Sequence, residues 1–175
     1  TDESGDKGSG FLSDVCNAWE ACLSPLNEIG NTHIAIARLG LVLSDDAPAW
    51  RQLIFPIKWG LGGPLGSGNQ WWSWIHLQDI ARAFVYFIKN NTQGVYNLTA
   101  PYPLQQKDMV KQIGNTLKRP TFFKTPELLL KIALGNAAKE LVLCDNRVCP
   151  KGLIDDGFQF TYPKFEDALS ELLDT

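Results

Sequence analysis

The 175-residue chain has one methionine, two histidines and four cysteines, and each scarcity removes a class of chemistry. Two histidines cannot fill the common zinc sets without cysteine help. Cys16/Cys22 and Cys144/Cys149 stand six and five apart, neither being the C-x-x-C of a metal or redox site. No metal site is therefore expected, and the four thiols read as buried and reduced, in a cytoplasmic setting. A run of Lys and Arg is also missing. With sixteen bases against nineteen acids, the formal charge of −3 leaves no electrostatic footprint for nucleic acid. No stretch approaches the roughly 20 apolar residues of a membrane span, so no membrane partner is expected either. The first ten residues are polar and Gly-rich, unlike a signal peptide.

What is abundant is apolar and aromatic. The chain is 45% hydrophobic, with nine Phe and six Trp. That excludes a disordered chain and predicts burial of roughly 70% of the unfolded surface. Phe11, Leu12, Val15, Cys16, Trp19, Cys22 and Leu23 fall on one helical face, with Ser9 as its cap and a turn at Ser24-Pro25 and Glu28-Ile29-Gly30-Asn31. The run from His33 to Leu43 (HIAIARLGLVL) predicts a strand buried on both faces, as in a parallel sheet. Residues 47–59 read as a helix with Pro48 in its first turn. Gly60-Leu61-Gly62-Gly63-Pro64-Leu65-Gly66-Ser67-Gly68 is an irregular loop running into Trp71-Trp72-Ser73-Trp74-Ile75-His76.

Asp79 opens the next helix, Val95–Thr99 is a short strand, and Gln105–Leu117 is an amphipathic helix. Thr125-Pro126-Glu127 reads as N-cap, first-turn Pro and early acid of a further helix. Residues 137–143 and 165–173 are expected to be helical, and Phe158–Tyr162 extended. The order predicts an α/β fold with a helical tail. Two or three strands are few for an independent sheet of this kind. With a start at Thr1-Asp2-Glu3-Ser4, this predicts a piece of a longer protein.

Several motifs carry a resemblance. Gly8-Ser9-Gly10-Phe11-Leu12, Val15-Cys16, Trp19-Glu20, Arg38-Leu39-Gly40-Leu41-Val42-Leu43, the Gly-rich loop with Gln70-Trp71 and Ser73-Trp74-Ile75-His76, Tyr96-Asn97-Leu98-Thr99-Ala100-Pro101, Lys118-Arg119-Pro120, and Arg147-Val148 with Pro150-Lys151 stand in a familiar succession. The chain resembles the NAD(P)-binding epimerase family of the extended or atypical short-chain dehydrogenases, whose members are labelled sugar-nucleotide epimerase or cell-division inhibitor. The resemblance implies the C-terminal part of a Rossmann-like fold over residues 1–119 and a small helical domain of unknown function over 120–175. It also implies NAD or NADP as cofactor, bound mainly by an N-terminal half that this chain lacks. The Gly-rich run 60–68 does not lie between a strand and a helix, so it fails as a dinucleotide cradle.

The resemblance also exposes departures. Short-chain dehydrogenases use a Tyr acid/base with a Lys four residues on. Here Tyr86, Tyr96, Tyr102 and Tyr162 are followed at that spacing by Asn90, Ala100, Gln106 and Glu166. Phe11 or Leu12 takes the Tyr place and Val15 or Cys16 the Lys place, and none of these serves as that acid/base pair. The catalytic residues are therefore unassigned.

Trp72 occupies the position of a phosphate-binding Arg, which argues against a nucleotide-sugar substrate. Gln70, Trp71, Trp72, Trp74 and Asn97 are the candidate residues for a small-molecule substrate. The tryptophans form either a flat pocket wall or core anchors beneath the loop. Leu41 and Val42, at a strand's carboxyl end, are the candidate cofactor contacts. Arg38 needs a partner, an ion pair or a ligand. His76 and Asp79 are expected to be structural, with Asp79 an N-cap. Three functions stay open: an oxidoreductase or epimerase-like enzyme, a dinucleotide-binding regulator without turnover, and an interaction module displaying Phe122, Phe123, Phe158, Phe160 and Tyr162 as one patch.

Overall fold

The structure, a computed structural model, describes residues 1–5, 8, 10–23, 25–26, 32–135 and 138–173. The expected Ser9 cap and the turn residues Ser24 and 28–31 lie outside the described residues. Helix α1 spans Phe11–Ala21 with Gly10 at its N-cap. Its apolar face is left open: Phe11 and Trp19 are exposed and none of its residues is buried.

The run expected as one strand is two. Strand β1 (Ala35–Leu39) pairs in parallel with β5 (Gly94–Leu98), whereas β2 (Leu41–Leu43) pairs in parallel with β4 (Trp74–His76). The break is at Gly40. There β1 and β5 part, and Ser73–Trp74 enters between them. Gly40 N donates to Leu98 O at 3.1 Å, Leu41 N to Ser73 O at 2.8 Å and Ala100 N to Trp74 O at 2.6 Å. A Cβ on residue 40 would sit 2.7 Å from Ser73 O and 2.9 Å from Thr99 Cγ2, so the fork closes only around a glycine.

Helix α2 (Pro48–Lys58) starts on its proline, as expected. Strand β3 (Trp71–Trp72) pairs antiparallel with β6 (Leu104–Gln105), a ladder the sequence did not signal. Helix α3 (Leu77–Asn90) ends on Asn91 in the left-handed conformation, and α4 spans Gln106–Thr116. Helix α5 (Glu127–Leu134) is capped by Pro126, and Thr125 is no side-chain cap. Thr125 instead bridges Leu65 in parallel, its N–H donating to Pro64 O and its carbonyl accepting from Gly66 N, each at 2.9 Å. A backbone ladder thus takes the residue that local propensity would have spent on capping.

The tail continues through a π-helical turn at Ala138–Val142, a short α6 (Lys151–Asp155) and α7 (Phe165–Leu173). Residue 137 of the expected 137–143 helix lies outside the described residues. Phe158–Tyr162, expected as a strand or extended stretch, joins no strand and bends at Thr161.

Two apolar clusters form the core, and the tail enters both. Phe165, Ala168, Leu169 and Leu172 of α7 close the first over Trp50, Ile54, Ile57, Trp74, Met109 and Ile113. Leu153 and Phe158 complete the second over Ile75, Ile80, Ala83, Phe87 and Leu98. Burial of Phe158 and packing of Phe160 and Tyr162 against these clusters separates them from exposed Phe122 and Phe123. The expected single aromatic patch therefore does not exist. The expectation of buried thiols fails too: Cys16, Cys22 and Cys149 are exposed and Cys144 is half-buried, since α1 and the loop at 149 lie on the surface. Among the described residues, no helix is long and apolar enough to cross a membrane.

Gly40→Ala is expected to cost about 2 kcal/mol by forcing the fork apart, read as a lowered urea midpoint. A second expectation concerns Tyr96, whose hydroxyl donates to Asp156 Oδ2 at 2.8 Å. Burial and that hydrogen bond push its pKa from 10.0 up to about 12. Between those values the folded state keeps a proton that the unfolded state releases. Stability from this group is whole below the lower value and is lost as pH rises through the upper one. Urea melts across that alkaline window should show a slope that Tyr96→Phe removes.

Candidate functional site

The expected site residues gather around the fork, but with different duties. Ser73 lies beneath a strap formed by residues 142–148. Its hydroxyl donates to Asn146 O at 2.6 Å and accepts from Val148 N at 2.8 Å. Trp71 N donates to Asp145 Oδ1 at 2.8 Å, Asn146 N to Trp71 O at 2.9 Å, and Trp72 Nε1 to Val142 O at 3.2 Å. The tail is thus bonded across the segment that splits the sheet.

The three tryptophans separate. Trp74 is 0% exposed, meets Phe165 edge to face at 5.4 Å and donates from Nε1 to Tyr102 O at 3.1 Å. It is a core anchor and gives no surface to a ligand, which corrects its place in the expected wall. Trp72 is half-buried and packs against the first cluster. Trp71 is half-buried too, and the Arg147 guanidinium lies over its ring at 4.5 Å. Gln70 is buried, and its Nε2 donates to Leu65 O at 3.0 Å and Val142 O at 3.3 Å. Both amide protons are committed to backbone, so Gln70 clamps the Gly-rich loop to the strap.

Asn97 is buried beneath the N-terminal segment. Its Nδ2 donates to Cys149 O at 3.2 Å, and its backbone N donates to Glu3 Oε1 at 3.0 Å. Arg38, opposite it in the β1–β5 register, makes a two-pronged pair with Glu20, both N···O distances 2.7 Å. That resolves the alternative left open for Arg38: it ties α1 to β1. The hydrogen bonds it donates to Glu20 hold its guanidinium pKa above the usual value. Leu41 and Val42 are half-buried on β2, packing against the first and second clusters respectively.

His76 and Asp79 exchange the roles expected for them. His76 is the N-cap of α3, its Nδ1 accepting from Gln78 N at 3.2 Å. Its Nε2 faces Glu171 Oε2 at 2.9 Å, and its ring packs on Tyr162 at 4.1 Å. Asp79 sits in the first turn with 0% exposure. It accepts Thr161 N on Oδ1 at 2.8 Å, Tyr162 N on Oδ2 at 2.9 Å and Arg82 Nη1 on Oδ1 at 3.1 Å. A buried carboxylate is sustained only by such a full set of donors.

Sequence reasoning missed three residues here. Ser73 and Arg147 stood in quoted motifs, but no local signal joins positions so distant in the chain. Thr99 is buried at the fork, its Oγ1 without a hydrogen-bond partner among the described residues.

The Gly-rich loop does not offer a pyrophosphate cradle. A Cβ at Gly63 would lie 2.3 Å from Phe123 O, and one at Gly66 would lie 2.7 Å from Leu143 Cδ2. The space its glycines free is filled by the tail of the same chain. Among the described residues, no group of three His, Cys, Asp or Glu is placed to hold a metal ion.

Residues 125–172 match the family model described as Domain of unknown function (DUF1731). The chain is 36% identical over 173 residues to "Epimerase family protein SDR39U1 homolog, chloroplastic" of Arabidopsis thaliana, covering 98% of this chain and 49% of that protein. A crystal structure of human epimerase family protein SDR39U1 (isoform2) with NADPH is similar at 28% identity and a TM-score of 0.93, over 100% of this chain and 59% of that one. The chain matches the C-terminal part of these epimerase family proteins. It spans about half the length of the curated relatives it matches. A nucleoside-diphosphate sugar epimerase from Corynebacterium glutamicum is similar at 26% identity and a TM-score of 0.76, over 99% of this chain and 33% of that one. The fold is the Rossmann-like α/β fold of these epimerases. In this chain the tail matching the domain of unknown function is bound to the rest of the fold through Asp79, Ser73 and Trp74.

Asp79→Ala would leave the N–H groups of Thr161 and Tyr162 unmatched. It should cost about 3 kcal/mol, with thermal melting as the readout. Gln78→Ala, which removes only a long contact to the Tyr162 hydroxyl (3.5 Å), should stay within about 0.5 kcal/mol of the parent.

Proposed function

We propose that the protein containing this chain is a nicotinamide-dinucleotide-dependent oxidoreductase or epimerase-like protein, and that this chain builds the substrate side of its cleft. The observation that carries the reading is the chain-long likeness to a relative crystallised with NADPH. The residues present suit the nicotinamide end of such a cofactor rather than its pyrophosphate. The Thr99 hydroxyl, without a hydrogen-bond partner among the described residues, lies at the carboxyl end of β5, beside the fork and close to Gly40. The dinucleotide is then held mainly by residues outside this chain, and when bound it supplies hydride transfer.

On this reading the chain's own groups position. The Arg38–Glu20 pair sets α1 against β1, and the strap walls the region above Ser73. Arg147 offers a guanidinium beside Trp71, one residue from Trp72, so the small-molecule substrate can be anionic without a cation at position 72. A second reading, a dinucleotide-binding regulator without turnover, is favoured by α1 itself. Phe11, Leu12, Val15 and Cys16 stand where proton transfer would be expected.

Titration of the full-length protein with NADPH and NADH, followed by tryptophan quenching, tests both. Saturable quenching by NADPH is expected, with oxidation of the cofactor by one member of a carbonyl and nucleotide-sugar panel. Saturation without consumption across the panel selects the regulator. Absence of saturation with both dinucleotides overturns the cofactor-dependent reading.

A further inference from the structure

Away from the fork, α2 ends in an exposed apolar cluster. Phe55 and Trp59 lie one turn apart with ring centroids at 6.4 Å, and they line an open groove with Pro56 and Leu61. Chain segment 120–123 runs alongside. Phe123 N donates to Gly62 O at 3.3 Å, and a Cβ on Gly60 would touch the Pro120 ring at 3.7 Å. Phe122 and Phe123 pack on each other at 4.6 Å. Trp59 and Phe122 are each 71% exposed, so these side chains project from the surface instead of filling it.

The two stretches of chain that carry them hold charge of one sign. Residues 47–78 and 109–126 contain Arg51, Lys58, Lys111, Lys118, Arg119 and Lys124 and not one Asp or Glu, in a chain whose acids outnumber its bases. Lys58 follows Phe55 and Ile57 at the end of α2, while Lys118, Arg119 and Lys124 bracket the Phe pair. All four are exposed, and none has a carboxylate partner among the described residues. Arg51 pairs with Asp46 at the start of α2, and Glu127, three residues after Lys124, pairs with Lys131. Projecting aromatics next to cations that no carboxylate pairs complement an apolar layer beneath anionic headgroups. Such aromatics sit at the interface while each nearby cation adds attraction to the anionic lipid.

We infer that this face, built from the end of α2 and residues 118–124, docks peripherally on an anionic membrane surface. The favoured occupant is a bilayer and not a peptide. The exposed side chains come from two separate chain segments and project outward over an open groove, where one bound helix would want a deep, continuous one. No spanning segment is needed for such attachment.

The test is co-sedimentation of the full-length protein with two vesicle preparations at low salt. One is phosphatidylcholine alone; the other contains about 30% phosphatidylserine. Partition onto the anionic vesicles is expected, with release by high salt. The charge reversal K118E/R119E should weaken it by about tenfold or more, and Trp59→Ala with Phe122→Ala should weaken it with charge unchanged. Both variants alter exposed residues, and unchanged thermal melts will show that they fold. Equal partition onto neutral vesicles, or wild-type partition by both variants, overturns the inference. So does preference for an acidic amphipathic peptide over the anionic vesicles.

Discussion

Ser73 and Trp74 entering between β1 and β5 is the constraint on which the rest of the molecule depends. Two parallel strands that stay paired leave no place for a third segment. Gly40 allows the parting because its missing Cβ is the space that the Ser73 carbonyl occupies. Once Ser73–Trp74 is seated, Leu41 and Ala100 give their N–H groups to it instead of to each other's strand. Trp74 is carried into the first core cluster, Ser73 is turned toward the strap, and His76 starts α3. The parting of the strands, the helix start and the tail's docking surface are therefore one event.

The tail is held by backbone hydrogen bonds as well as by the side chains it buries in both clusters. Asp79 accepts two consecutive tail N–H groups, Ser73 bonds both sides of residue 147, and Thr125 pairs with the Gly-rich loop. Buried carboxylate and hydroxyl partners of this kind are costly to leave unmatched, so they fix one seating of the tail. The loop's glycines serve the same purpose. Gly63 and Gly66 admit Phe123 and Leu143 at distances no larger residue would tolerate. A phosphate-like motif in one dimension is a chain-packing motif in three.

Strands 35–39 and 94–98 and helices 48–58, 106–116 and 165–173 were legible, because each buries apolar side chains at a period that sequence displays. The likeness to epimerase family proteins was legible from short ordered motifs. Roles within the candidate site were not. Propensity makes Asp79 a cap and Thr125 a cap, and both are claimed by partners far along the chain: the tail at 161–162 and the loop at 64–66. Three tryptophans within four residues look alike in sequence. Burial divides them into a core anchor, a half-buried packing residue and an arginine-stacked one.

The sequence by itself determined most of the helices, the two paired strands 35–39 and 94–98, the α/β class, the likeness to epimerase family proteins and the missing Tyr-x-x-x-Lys pair, since all of these rest on local composition and spacing. Its uneven charge was also present there, as two stretches without acids, but linear order kept them about thirty residues apart. Only the tertiary structure decided that these stretches meet, that Arg147 stacks on Trp71 and that Gly40 opens a fork. Each of those facts depends on which distant groups share a volume, and local spacing carries no record of that.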